Sequence, residues 1–198
     1  MAGDIQRIVP YMAQGLDTGG RIGNEITAKA LTVKGHMIMT LANAGYSGSV
    51  RIGVRMMCLT SKRYKHIDDL TTNPSLHLNF LLKSGNAIQP FSGNIPDLYL
   101  PINREVYTVH YDKVQYITIP LIYTNAGAVD LVNSVKMFSF SVPCKNKKIT
   151  YEDSLSNAPQ NWAPFWVIGY VKLDGSGPDT VLTNISCESI STLYYTDM

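Results

Sequence analysis

The chain is short of cysteine, of charge and of long apolar runs. Its three cysteines, Cys58, Cys144 and Cys187, are an odd number with no close pairs. That excludes a disulfide-framed scaffold and suits buried thiols in a reducing compartment, with at most one opportunistic bridge. No apolar run reaches the roughly eighteen residues a membrane helix needs, so no membrane span is expected. The opening MAGDIQRIVPYMAQG holds no apolar h-region and carries Asp4, so a secretory signal is not visible in it. The sequon Asn184-Ile185-Ser186 matters only for a secreted protein and is discounted on that ground. Charged residues make up 16% of the 198 residues against 45% hydrophobic ones, which favours one packed domain over 1–198 and argues against disorder. A formal charge of +2 permits nucleic-acid contact without demanding it.

Catalytic spacings are missing too. Metal ligands must converge within about 2 Å of one ion, yet His36, His66, His77 and His110 are scattered singly. There is no H-E-x-x-H, C-x-x-C or G-x-S-x-G, and GYSGS at Gly45 to Ser49 misses the last by one place. The adjacent acids Asp68 with Asp69, and Glu152 with Asp153, diverge in helix or strand and make poor acid/base pairs. The expectation is a non-enzyme with no cofactor and no metal site within one chain. A calcium site built from carboxylates of several subunits is left open.

What the chain does have is alternation. GGRIGNEITAKALTVKGHMIMT, Gly19 to Thr40, has the glycines of a phosphate loop, but no helix follows to aim N–H groups at an anion. Ile26, Ala28 and Ala30 alternate with polar residues, and then the phase flips to Leu31, Val33, Met37 and Met39. One extra residue near Ala30 and Leu31 absorbs such a flip, so this reads as a bulged strand. Ser49 to Thr60 reads as a half-buried strand with a basic outer face. Strands are also expected over Arg104 to Lys113, Val114 to Thr124 as far as Pro120, Val135 to Pro143, and Thr180 to Asp197 as one strand or two. Ala163 to Leu173 is apolar on both faces, as suits a strand buried between layers or against a neighbouring subunit. Lys62 to Leu70 has the spacing of a short helix ended by TTNP, and Ser75 to Leu82 fits either period. The sum is an all-β sandwich, jelly roll or barrel.

Basic residues offer the one chemical signal. Arg7 and Arg21, with Lys29 and Lys34 of the first strand and Arg51 and Arg55 of the next, are candidates for contacting phosphates without reading sequence. Lys62, Arg63 and Lys65 extend that group, and Lys145, Lys147 and Lys148 form another cluster in a turn. Ordinary solvated strand faces would look the same.

Several segments taken in order resemble the capsid proteins of circular Rep-encoding single-stranded DNA (CRESS-DNA) viruses. G-G-R-I-G-N-E-I-T-A-K-A-L-T-V-K-G resembles that family's first strand, and R-E-V-Y-T-V-H-Y-D-K a mid-chain strand ending in Asp-Lys. K-M-F-S-F-S-V-P-C-K-N-K-K-I-T-Y-E-D resembles the late strand and its lysine turn, P-Q-N-W-A-P-F-W-V-I-G-Y the strand after it, and T-L-Y-Y-T-D the closing strand. The resemblance implies an eight-stranded antiparallel jelly roll, a two-sheet β-sandwich with long loops. Copies would self-assemble into a small icosahedral shell around viral single-stranded DNA, bound without sequence specificity. It further implies residence in the virion and in the host nucleus or cytoplasm during assembly, and a host receptor that the sequence does not identify. Under this reading Trp162, Phe165, Trp166, Tyr194 and Tyr195 are the expected subunit contacts, and residues 1–20 a flexible or partly ordered leading segment. One departure stands out: the family's arginine-rich arm is missing, since only Arg7 precedes Arg21. Particles largely empty of nucleic acid are therefore expected. The alternative is a monomeric β-sandwich module that binds a carbohydrate or protein ligand through exposed aromatics.

Overall fold

The computed structural model describes residues 5–16, 20–41, 50–72, 74–119, 121–123, 129–131, 134–153, 155, 157–175 and 183–197. Residues 42–49, Pro120 and residues 176–182 lie outside them. In chain order the strands are β1 (Gln6–Arg7), β2 (Glu25–Leu41), β3 (Val50–Ser61), β4 (Leu82–Ser84), β5 (Ala87–Gln89), β6 (Tyr107–Ile119), β7 (Leu121–Tyr123), β8 (Val129–Leu131), β9 (Ser134–Thr150), β10 (Pro164–Lys172) and β11 (Thr183–Asp197). Two short helices, α1 (Ile67–Thr72) and α2 (Pro74–Leu78), follow β3. The helical spacing of Lys62 to Leu70 thus yields a helix only from Ile67 onward. The ambiguous Ser75 to Leu82 divides between helix and strand.

The fold is an antiparallel all-β sandwich. One sheet has the order β11-β2-β9 and the other β1-β10-β3-β6, with the hairpins β4-β5 and β7-β8 beside them. The outermost long strands in sequence, β2 and β11, pair along their whole length, and β3 pairs with β10 inside them. Among the described residues six long strands carry the two sheets, where the jelly-roll expectation has eight. β2 is the bulged strand its sequence calls for. The ladder on both sides steps from Ala28 to Ala30, so Lys29 is the extra residue. Ile26 and Ala28 before it, and Leu31, Val33 and Met37 after it, therefore all face the core and are fully buried.

Between the sheets a run of aromatic rings ties β9 to β10 and β6. Phe138 and Phe140 stack on Trp166 at centroid separations of 5.2 and 4.9 Å, and Tyr111 stacks on Phe140 at 4.5 Å. Phe138 can lie this flat because its cross-strand partner is Gly35: a Cβ there would sit 2.7 Å from the ring. Offset stacks of this kind contribute about 0.5–1.5 kcal/mol each beyond the area they bury.

A second core fills the other side of β3 and β10. The connection from β3 to β6, residues 62–106, folds back over the sheet and buries Leu70, Leu78, Leu81, Phe91, Leu98 and Ile102 against Met57, Leu59, Phe165 and Val167. Burial of that apolar surface is what holds so long a connection down. β3 is consequently buried on both faces, not half-buried with a basic outer face. Tyr107, whose hydroxyl donates to the His77 carbonyl, pins α2 to β6, and burial pushes its pKa up to about 12. The chain around β1 is fastened as well. β1 pairs with β10, while Ile8, Val9 and Met12 enter the main core.

Candidate functional site

Alternation places every second residue of β2, β9 and β11 on the outer face of their sheet. The ladder sets Ile190, Lys34 and Ser139 side by side, then Glu188, His36 and Met137, and then Ser186, Ile38 and Val135. Nothing in the described chain covers this face. Met137 is 82% exposed, Ile190 77%, Tyr194 55% and Val135 50%. Thr32, Lys34, His36, Met137, Ile190 and Tyr194 line a shallow trough of about 410 Å³ along β2. Charge is sparse and of both signs: Lys34 is exposed, and His36 Nε2 lies 3.7 Å from a Glu188 carboxylate oxygen. Large apolar side chains gathered on one flat face mark a contact surface, because scattered exposed apolar residues are normal but contiguous ones are uncommon.

The predicted cations scatter over the molecule. Lys29 and Lys34 are exposed on β2, and Arg51 is exposed on β3 with its guanidinium 5.4 Å from the Tyr116 ring centre. Lys34 and Arg51 belong to different sheets and point to opposite outer sides of the sandwich, so no single basic face forms. Two candidates are corrected outright. Arg21 is fully buried over the Tyr151 ring and donates to the carbonyls of Gly23 and Asp153, each at 2.6 Å. Arg55 is buried under the 62–106 connection. Its guanidinium forks onto both oxygens of Asp112 at 2.8 and 2.7 Å and donates to the Asp97 and Leu100 carbonyls, both at 2.7 Å. Neither reaches solvent, because each is consumed in holding one segment of the chain to another. Half-buried Arg7 caps its own segment, donating to Val9 O at 2.6 Å, with the Tyr11 ring 3.5 Å below it.

Of the expected subunit contacts, Trp162, Phe165 and Trp166 are buried within this chain's own cores, where a neighbour cannot touch them. A strand apolar on both faces is here explained by two cores in one chain. Tyr195 is half-buried, its hydroxyl donating to Gly20 O at 2.6 Å. Tyr194 alone of the five lies open on the outer face. Sequence reasoning missed Met137, Val135 and Ile190 there. The signal was present in Val135 to Pro143, where Met137 takes the face opposite Phe138 and Phe140.

All three thiols are free. Burial raises each of them above the ordinary thiol range, Cys187 to about 11, so none is an activated nucleophile at neutral pH. Among the described residues no three His, Cys, Asp or Glu side chains come together as metal ligands. Among the same residues no helix is long and apolar enough to cross a membrane. No family model matches the chain, and a search of curated proteins finds no match either.

Proposed function

We propose that this chain is a structural subunit, a jelly-roll-type coat protein whose copies assemble into a closed shell around single-stranded DNA. The observation that carries the self-assembly is the uncovered β11-β2-β9 face, where Val135, Met137, Ile190 and Tyr194 stand exposed. A second copy seated there would bury them, at about 1.5–3 kcal/mol for each large side chain fully covered. Lys34 and Glu188 give the same face both charges, as a surface that meets its own copy requires. The pairing of first with last long strand, and of second with penultimate, supports the jelly-roll reading, and the ordered segment likenesses support a viral coat. Of the six cations first expected to meet nucleic acid, only Lys29, Lys34 and Arg51 are exposed, which agrees with particles that hold little of it. The competing reading keeps the chain monomeric and gives the trough beside Tyr194 to a carbohydrate or peptide.

Size-exclusion chromatography with light scattering, joined to negative-stain imaging and the ultraviolet absorbance ratio of the leading peak, separates the two. Uniform small spheres with a protein-like ratio are expected. Salt-sensitive particles filled with DNA would overturn the expectation of empty shells. A monomer unchanged across salt and pH would overturn assembly and favour the binding module.

A further inference from the structure

Two irregularities in the strands converge on one cavity. The β3–β6 ladder steps from Cys58 opposite Tyr111 to Leu59 opposite Val109, so His110 is an extra residue, turned out of the ladder. In β9 the ladder to β2 jumps from Pro143 to Lys147, looping out Cys144, Lys145 and Asn146, the last two at φ of 51° and 56°. Left-handed backbone at a lysine is uncommon, and such strain concentrates at functional sites. Asn161 braces that loop, its amide donating to Lys148 O at 3.1 Å while its carbonyl oxygen accepts from Thr150 N. Between these features lies a cavity of about 220 Å³ whose walls include Ser61, Lys62, Lys65, His110, Lys147 and Trp162.

The two lysine clusters that stand far apart in sequence meet here, and no carboxylate is among the described lining residues. Lys148, one residue along, is bound to Glu25 at 2.6 Å, whereas Lys147 and Lys65 make no ion pair among the described residues. Lys62 spends one of its three donors on Arg104 O and keeps two. The buried Ser61 hydroxyl accepts from the Arg63 and Tyr64 amides, which leaves its own proton to donate. Thr60 Oγ1 lies 2.7 Å from His110 Nε2. Burial and the charge of Lys147 hold the His110 pKa below the ordinary histidine value.

We infer that this cavity binds a phosphate group, with Lys62, Lys65 and Lys147 supplying charge and the Ser61 and Thr60 hydroxyls supplying directed donors. The site belongs to the folded chain and stands whether or not copies assemble. A bound dianion offsets the Lys147 field, so the His110 pKa rises, protonated Nε2 donates to Thr60, and the Thr60 proton turns to the anion. The groups facing His110 are Thr60 of β3, Cys144 and Lys147 of β9, and Lys62 and Lys65 beyond β3. Because binding raises that pKa, the His110 contribution to affinity is present at low pH and lost as pH rises through the bound-state value.

The test is proton NMR of the His110 ring through a pH titration in phosphate and in chloride of equal ionic strength. A raised His110 pKa in phosphate is expected, with saturable binding that Lys65→Gln with Lys147→Gln weakens by about tenfold or more. Lys148→Gln, whose partner is Glu25, should leave binding unchanged. Identical titrations in the two salts, or equal loss from the Lys148 variant, would overturn the site. Oligothymidylate distinguishes the source of the phosphate. Binding tighter than inorganic phosphate through the same two lysines assigns the site to a phosphodiester strand, and equal affinity assigns it to the free anion.

Discussion

The two outer faces of the sandwich are made of similar residues and have opposite fates. Over β3 and β10 the chain covers its own sheet, and the fit is close. A Cβ on Gly53 would meet Leu98 at 2.6 Å, and one on Gly169 would meet Phe91 at 2.6 Å, so two glycines make the room into which the connection presses its apolar side chains. Arg55 then fastens connection, β3 and β6 together. Over β2, β9 and β11 no described connection returns, and Met137 and Ile190 face outward uncovered. An apolar strand face thus says only that something covers it. Whether the cover is the chain itself or another molecule depends on where the connections run.

The contrast can be broken most forcefully at the covered face. Asp112→Ala would leave the buried Arg55 guanidinium without its carboxylate, and a loss of about 2–3 kcal/mol is expected in urea unfolding. If the change costs no more than a surface substitution, Arg55 is not the fastening. Gly169→Ala comes next. Phe91 must give way to the new methyl, at about 1–3 kcal/mol, and amide exchange should quicken in residues 87–102 ahead of β2. The smallest effect on folding belongs to the bare face, where Met137→Lys with Ile190→Lys should shift stability by no more than about 0.5 kcal/mol. The same pair should abolish particles in light scattering. Assembly that survives it would show that copies meet elsewhere.

Much of the architecture was legible in the residues. The phase flip around Ala30 foretold a bulge, and the ladder puts it at Lys29, because a period of two leaves no other way to keep both halves of β2 facing one core. The apolar-on-both-faces pattern of Ala163 to Leu173 pointed to a strand between layers or against a neighbouring subunit, and two cores in one chain account for it. The candidate site was far less legible. Arg55 occupies a polar position of an alternating strand and Arg21 stands just ahead of one, which is all that the local sequence can reveal. Their burial comes from segments more than forty residues away: Asp97 and Leu100 over Arg55, Asp153 beside Arg21. Trp162 and Trp166 could equally have been contacts between copies, since aromatic residues serve cores and interfaces alike.

By itself the sequence determined local geometry: the long strands, the bulge in β2 and a short helix soon after β3, though not its start at Ile67. Each rests on side-chain period or backbone chemistry within a few residues. Only the tertiary structure decided which sheet is covered, which arginines are buried, and that Lys62 and Lys65 share a cavity with Lys147. Those outcomes depend on pairings across most of the chain, and the free energy that selects them comes from surfaces no local window contains.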